Sequence, residues 1–285
     1  MTRDDKRFKF YHLRESLEAA GLATNNSDAL ICPLCWRETS YDDLSLEHMV
    51  PGTVGGTQRT LTCRTCNNDG GSNLDAHLSR YQVIADVFKG HGTLPAKISV
   101  KGKEVAANLE WGEDAKNFTV VGKASNPVSA AEIQQAFADG KVKQMNVTLP
   151  YKYSKNNFQT AVLRAAYLIV FQYFGYEWAS HDVVQTIRRR IDDPSLELPR
   201  LASLVVELRN FNPPHDAQHY VVSRNVNDVK FLLAIVRVRK KTTSYLGAYL
   251  PVPLDGSERF FDLMEQAAKE HPGQSFKIPM TQIFT

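Results

Sequence analysis

Two cysteine pairs constrain this chain more than any other feature: Cys32-Pro33-Leu34-Cys35 and Cys63-Arg64-Thr65-Cys66. They hold the only four cysteines in 285 residues. Each C-x-x-C spacing lets one knuckle offer two sulfurs to a single ion, and two knuckles close the tetrahedral thiolate site that zinc prefers. Disulfides and buried free thiols are the competing readings. The stretch Met1-Thr2-Arg3-Asp4-Asp5-Lys6 is charged and shows no apolar leader pattern, so a reducing, cytoplasmic setting is expected, in which disulfides are disfavoured. The expectation is a structural Zn²⁺ held by Cys32, Cys35, Cys63 and Cys66.

Between the knuckles runs Leu46-Glu47-His48-Met49-Val50-Pro51-Gly52-Thr53-Val54-Gly55-Gly56. A structural zinc ribbon needs only its cysteines, so a carboxylate beside an imidazole invites a second, chemical role. The plainer reading is a solvated Glu-His pair. Leu44-Ser45-Leu46 alternates like a short strand, and Val50-Pro51-Gly52 reads as the turn that ends it. Neighbours on a strand point to opposite faces. Glu47 and His48 would therefore not do the same job by default, although a bend or loop after the strand could bring both toward one site.

The order Cys-x-x-Cys, Glu-His-x-x-Pro, Gly-Gly, Cys-x-x-Cys-Asn resembles the HNH nucleases, the ββα-metal finger endonucleases. The resemblance is closest to the subgroup whose second knuckle runs on as Cys-Asn-x-x-x-Gly-Ser-x-x-Asp, here Cys66-Asn67-Asn68-Asp69-Gly70-Gly71-Ser72-Asn73-Leu74-Asp75. It covers about residues 30–78. It implies His48 as general base, Glu47 as a ligand of the catalytic metal, Asn67 as a further ligand opening a helix, and Asp75 as another acidic ligand. The four cysteines match the family's structural zinc. One departure stands out: many members carry an Asn five residues before the second knuckle, and Gln58 occupies that place here.

Phosphodiester hydrolysis asks for these residue types. An imidazole titrates near neutral pH and can take the proton of an attacking water. A divalent ion held by oxygen ligands stabilises charge on the leaving oxygen. Glu47, Asn67 and Asp75 suit hard Mg²⁺ or Mn²⁺, whereas thiolates suit Zn²⁺, so the two donor sets separate two metals by softness. Asp75 has a second reading, because Ser72-x-x-Asp75 is close to a capping box ahead of apolar Leu74, Leu78, Tyr81, Ile84, Ala85 and Phe88 at helical spacing. His77 reads as a surface histidine. Lys89-Gly90-His91-Gly92 reads as the helix stop.

Length leaves room for two domains. The apolar fraction of 43% and aromatic fraction of 10% are those of an ordinary globular chain. Net charge is +3, divided unevenly: residues 1–92 carry −2 and residues 93–285 carry +5. The expected division is a nuclease domain over 1–92 and an accessory, recognition domain over 93–285, with a change of character near 195. The overall class is α+β, a ββα finger stapled by four cysteines and followed by an α+β domain. The finger is not basic by itself, so phosphate attraction falls to the second part.

Along the chain, Phe8 to Ala20 reads as an amphipathic helix with Phe10, Leu13, Leu17 and Ala20 on one face. A β meander follows at Ile98–Val100, Val105–Trp111 and Phe118–Val121. Ser129-Ala-Ala-Glu132 is a capping box before a helix that ends near Gly140, and Gln144 to Leu149 reads as a strand. Asn156 to Phe174 reads as the strongest helix, and Ala161 to Phe174 within it is nearly all apolar but for Arg164 and Gln172. It is too short to span a bilayer, so it reads as a buried helix ended by Gly175, and no membrane partner is expected. His181–Ile191 is a further helix. Strands follow at Leu204–Leu208, Gln218–Ser223, Val229–Val238 and Thr243–Leu250, then a helix over Glu258–Glu270.

Two basic clusters are candidate nucleic-acid contacts: Arg237, Arg239 and Lys240 on a strand, and Arg188 and Arg189 near a helix end. Each has a bland alternative, a solvated or charge-guarded strand face and a helix C-terminus that favours cations. His215 and His219 flank a Pro-Pro loop that could form a pocket. The leading expectation is a metal-dependent DNA endonuclease, restriction-like or acting in phage defence by analogy. The alternatives are a zinc ribbon that grips nucleic acid without cutting, and a nuclease directed at RNA. The sequence leaves oligomeric state open.

Overall fold

The computed structural model describes residues 3–112, 118–122, 127–142, 144–150, 153–209, 211–213, 215–254, 256–270 and 283–284. Its elements in order are α1 (Arg3–Ala19), β1 (Ala29–Ile31), β2 (Glu38–Ser40), β3 (Leu44–His48), β4 (Arg59–Cys63), α2 (Arg64–Gly70), α3 (Ala76–Phe88), β5 (Leu94–Val100), β6 (Lys103–Trp111), β7 (Phe118–Gly122), α4 (Pro127–Ala138) and β8 (Asn146–Thr148). There follow α5 (Lys155–Ala179), α6 (Asp182–Asp192), α7 (Leu201–Leu204), β9 (Val205–Glu207), β10 (His219–Val226), β11 (Val229–Arg239), β12 (Thr243–Pro251), α8 (Phe260–Glu270) and β13 (Ile283–Phe284). Helices and sheets mix, giving an α+β chain. No described helix is long and apolar enough to cross a membrane.

The chain forms two compact units that interleave in sequence. The first joins residues 1–79, 154–239 and 243–285; the second joins 80–153 with 240–242. In the first unit, β3 and β4 form an antiparallel hairpin that runs straight into α2, the ββα unit. Around it, β13, β10, β11, β12 and β9 build an antiparallel sheet in that order. Helix α5 is the hub. It packs on α1, α6, β11 and β12, and every residue from Phe158 to Phe171 is buried. Helix α1 lays Phe10, Leu13 and Leu17 into the same interior, as its spacing demands, though it begins at Arg3, five residues before the periodicity shows.

Gly175 does not end α5. It breaks the helix with φ 61° and ψ −150°, and helical backbone resumes to Ala179. The reason is an outside partner: the Tyr176 N–H donates to Ser16 Oγ at 3.0 Å. A Cβ on Gly175 would stand 1.9 Å from that oxygen.

The second unit is a four-stranded antiparallel sheet, β7-β6-β5-β8, with α4. Its core gathers Val87, Leu94, Ile98, Val105, Leu109 and Ile133. The tip of the β11–β12 hairpin belongs to it, because the Asp86 carboxylate accepts from the Lys241 and Thr242 N–H groups at 3.1 and 2.8 Å. Ser129 is not a cap. Helix α4 starts two residues earlier at Pro127, whose fixed φ suits a first helical position. The capping reading of Asp75 also fails, since the backbone stays helical from α2 through a π turn at Gly71–Asp75 into α3. The Ser72 side chain lies outside the described residues.

Candidate functional site

The two knuckles bring Cys32, Cys35, Cys63 and Cys66 together with all four sulfurs within 4.8 Å of one another. The Cys35 and Cys63 sulfurs are 3.8 Å apart, and a tetrahedron with Zn–S bonds of about 2.3 Å has edges of about 3.8 Å. Backbone N–H groups of Cys63 and Cys66 point at the sulfurs of Cys32 and Cys63, each at 3.4 Å, which favours thiolate. The donor set and its spacing fit zinc.

The first knuckle is held from outside the finger. Tyr167 Oη donates to the Pro33 carbonyl at 2.9 Å, and Tyr176 Oη donates to the Ile31 carbonyl. The Arg188 guanidinium lies 4.1 Å from the centre of the Trp36 ring. Arg188 is thus buried, and it also donates to the Ala179 carbonyl at 3.2 Å. That removes it from the candidate phosphate contacts, because its charge is committed inside the fold.

The hairpin register pairs Glu47 with Thr60 and His48 with Arg59. The strand runs through His48, so no bend turns the two side chains together, and they leave on opposite faces. Two glycines close the connection. Gly55 sits at φ 89°, and a Cβ on Gly56 would fall 1.6 Å from the Val50 carbonyl oxygen.

On the inner face, Glu47 is 2% exposed. Its carboxylate accepts from Thr62 Oγ1 at 2.6 Å and pairs with the guanidinium of Arg164 from α5. Arg164 also donates to the Cys66 carbonyl at 3.0 Å and stands 3.8 Å from the Asp75 carboxylate. Gly70 makes room for it: a Cβ there would lie 2.2 Å from the guanidinium. Asn67 Nδ2 donates to Ser45 Oγ at 2.9 Å and, more weakly, to the Leu46 carbonyl at 3.4 Å. Its nitrogen is thereby spent, and its oxygen is the atom left for an ion.

Burial pushes the Glu47 carboxyl above its ordinary range, and Arg164 opposes that shift. Burial likewise raises Asp75 to about 6, with Arg164 again opposing and Glu47 adding to the rise. Thr60 Oγ1, on the Glu47 face, is buried and has no hydrogen-bond partner among the described residues. The carboxylates of Glu47 and Asp75, the Asn67 amide oxygen and the orphaned Thr60 hydroxyl are oxygen donors of the type a hard divalent ion takes. Arg164 shares the carboxylates.

On the outer face, His48 is half-buried, and its Nε2 accepts from Arg59 Nε at 3.0 Å. Burial, with Arg59 adding, lowers its pKa below that of an ordinary histidine and favours neutral imidazole. Beside it opens a cleft of about 440 Å³ lined by residues of four segments, among them Lys9, Gln58, Arg59, Gln172, Tyr173 and His219. Gln58 thus faces the cleft. The loop that forms one wall is clamped by Gln218, whose Oε1 accepts from the Thr57 and Gln58 N–H groups at 3.0 Å each and whose Nε2 donates to the Gly55 carbonyl at 2.7 Å.

His77 is no surface residue. It is 7% exposed, and its Nδ1 accepts from the Ser154 N–H at 3.3 Å. Arg189, Arg239 and Lys240 are exposed. Arg237 is half-buried and ion-paired with Asp216. The backbone at Arg239 reaches the finger's glycine loop, since a Cβ on Gly55 would stand 3.4 Å from the Arg239 carbonyl oxygen. The residues that sequence reasoning missed are Arg164 and Gln218. A signal for Arg164 existed: a cation inside a long apolar helix is rarely buried unpaired.

Residues 32–82 match the model of a family described as HNH endonuclease. The likeness drawn from the knuckles and the Glu-His pair is borne out over that segment. No curated protein and no solved structure matches the chain.

Proposed function

We propose that this protein is a metal-dependent HNH endonuclease that hydrolyses DNA phosphodiesters, with His48 as general base. The observation that carries the reading is one hairpin beside a cluster of four cysteines, with a half-buried imidazole on one face and the buried Glu47 carboxylate on the other. His48 takes the proton of an attacking water as its oxygen bonds to phosphorus and the bond to the departing oxygen breaks. An imidazole held neutral accepts that proton at physiological pH. Cys32, Cys35, Cys63 and Cys66 would hold Zn²⁺, which would fix the hairpin's shape. Glu47, Asn67 and Asp75 would hold Mg²⁺ or Mn²⁺, which supplies Lewis-acid stabilisation of the departing oxygen. Arg237, Arg239, Lys240 and Arg189 contribute phosphate attraction. Residues outside the finger carry recognition.

The test is cleavage of plasmid DNA in Mg²⁺ or Mn²⁺, wild type beside His48→Ala, with chelator as control. Wild type is expected to cut. His48→Ala is expected to lose roughly 10²–10⁴-fold in rate while keeping its fold and zinc. Equal cutting by the variant rejects the role of His48. One observation favours a second reading: Arg164 and Thr62 already satisfy Glu47, as in a module that binds nucleic acid without cutting. Gel-shift binding with no cleavage on DNA or RNA would select it.

A further inference from the structure

The cleft beside His48 has a chemistry that the catalytic roles above do not use. Among its described lining residues, two cations, Lys9 from α1 and Arg59 from β4, stand beside one anion, Asp5. Two amide side chains, Gln58 and Gln172, offer donors and acceptors together. An aromatic ring lies at the wall: Tyr173 is 39% exposed, and its Oη meets His219 Nε2 at 3.0 Å. The two rings stand edge to face at 76° with centroids 5.8 Å apart. That bracing fixes the Tyr173 ring while leaving part of it uncovered. His219 itself is 3% exposed, and burial lowers its pKa to about 4, so it contributes no charge.

We propose that this cleft is a nucleotide subsite that receives one unpaired nucleotide of the substrate strand, making single-stranded or locally opened nucleic acid the preferred substrate. The inference rests on the endonuclease reading and deepens it. At about 440 Å³ the cleft lies at the small end of ligand pockets, which run from roughly 300 to 1,000 Å³. That volume suits one nucleotide better than a base pair. Arg59 and Lys9 take the phosphate, amides of Gln58 and Gln172 meet base edges, and the open part of the Tyr173 ring stacks a base. Arg59 gives the subsite its link to chemistry, because the same guanidinium rests on His48 Nε2. A phosphate in the cleft draws the guanidinium toward itself and uncovers that nitrogen lone pair. Substrate arrival thereby readies the base, and an empty cleft keeps it covered.

The experiment is equilibrium binding by fluorescence anisotropy, using full-length protein without added divalent ion. The probe is an end-labelled single-stranded DNA of mixed sequence, compared with the same strand annealed to its complement. The single strand is expected to bind about tenfold more tightly. Tyr173→Ala is expected to weaken single-strand binding roughly tenfold, in line with a lost stacking contact, and to leave duplex binding unchanged. Tyr173→Phe keeps the ring and is expected to retain affinity, which separates stacking from a structural role of the hydroxyl. Lys9→Gln is expected to reduce the salt slope by about one phosphate contact.

Equal or tighter duplex binding, or single-strand affinity unmoved by both Tyr173→Ala and Lys9→Gln, overturns the subsite. The two readings fail separately. Plasmid cutting that depends on His48, with these variants binding as wild type, removes the subsite and leaves the nuclease. Strand binding that follows the variants, with no cutting in Mg²⁺ or Mn²⁺, removes the nuclease and leaves the subsite.

Discussion

The β3–β4 hairpin has two faces built to opposite specifications. The inner face is closed: Glu47 is buried, shared between Thr62 and Arg164, and the guanidinium goes on to the Cys66 carbonyl. The outer face is half-open, with His48 touched by Arg59 beside a cleft. A buried ion pair adds little net stability when whole, yet leaving one partner alone is costly. The Glu47–Arg164 pair therefore reads as a lock on geometry, and the outer face as the part more open to a ligand. Neighbouring residues reach such different surroundings because a strand turns successive side chains to opposite sides.

The harshest way to break this contrast is to remove what both faces share. Cys63→Ser is expected to lose zinc and unfold the finger, since structural zinc contributes on the order of 10 kcal/mol in small metal-stabilised domains. Metal analysis and circular dichroism check it, and a folded, zinc-loaded variant would contradict the zinc assignment. Next comes the lock alone. Arg164→Met strands the Glu47 charge and is expected to cost about 3–5 kcal/mol, read from urea denaturation. A loss within the ±0.5 kcal/mol of an ordinary surface change would show that the pair is not a lock.

A third probe uses acid on the cleft side. His219 has a pKa of about 4 when folded against about 6.5 for an ordinary histidine. The unfolded chain takes up the proton that the folded one refuses. Its share of stability is thus fully present above pH 6.5 and is lost as pH falls toward 4, a change on the order of 3 kcal/mol. Comparing wild type with His219→Gln between pH 7 and 4.5 isolates that share, and parallel curves would reject it. The smallest effect is expected from Arg237→Gln with Arg239→Gln: weaker DNA binding, with the salt slope reduced by about two contacts. An unchanged slope would leave these residues as a solvated strand face.

Most of what lies close in sequence was readable from it. The knuckles, the Glu-His pair, the buried stripe of α1 and the meander all follow from spacing over a few residues. Two local signals misled, the Ser-x-x-acid patterns at Ser72 and Ser129. A capping box marks a start only where the helix does not already exist, and both fall inside helical backbone. The partners of the site were out of reach for another reason. Arg164 meets Cys66 across 98 residues and Gln218 meets Gln58 across 160, and no period links such positions. His77 misled similarly, because what buries it is the segment at Ser154 and Asn157.

The return of α5 to the finger also has a consequence in time. A ribosome adds roughly 5–20 residues per second, so Cys66 precedes Arg164 by 98 residues, or about 5–20 s. Through that interval Glu47 lacks its guanidinium, and the first knuckle lacks the two tyrosines that hold its backbone. The finger's contacts are thus completed only after α5 has been made.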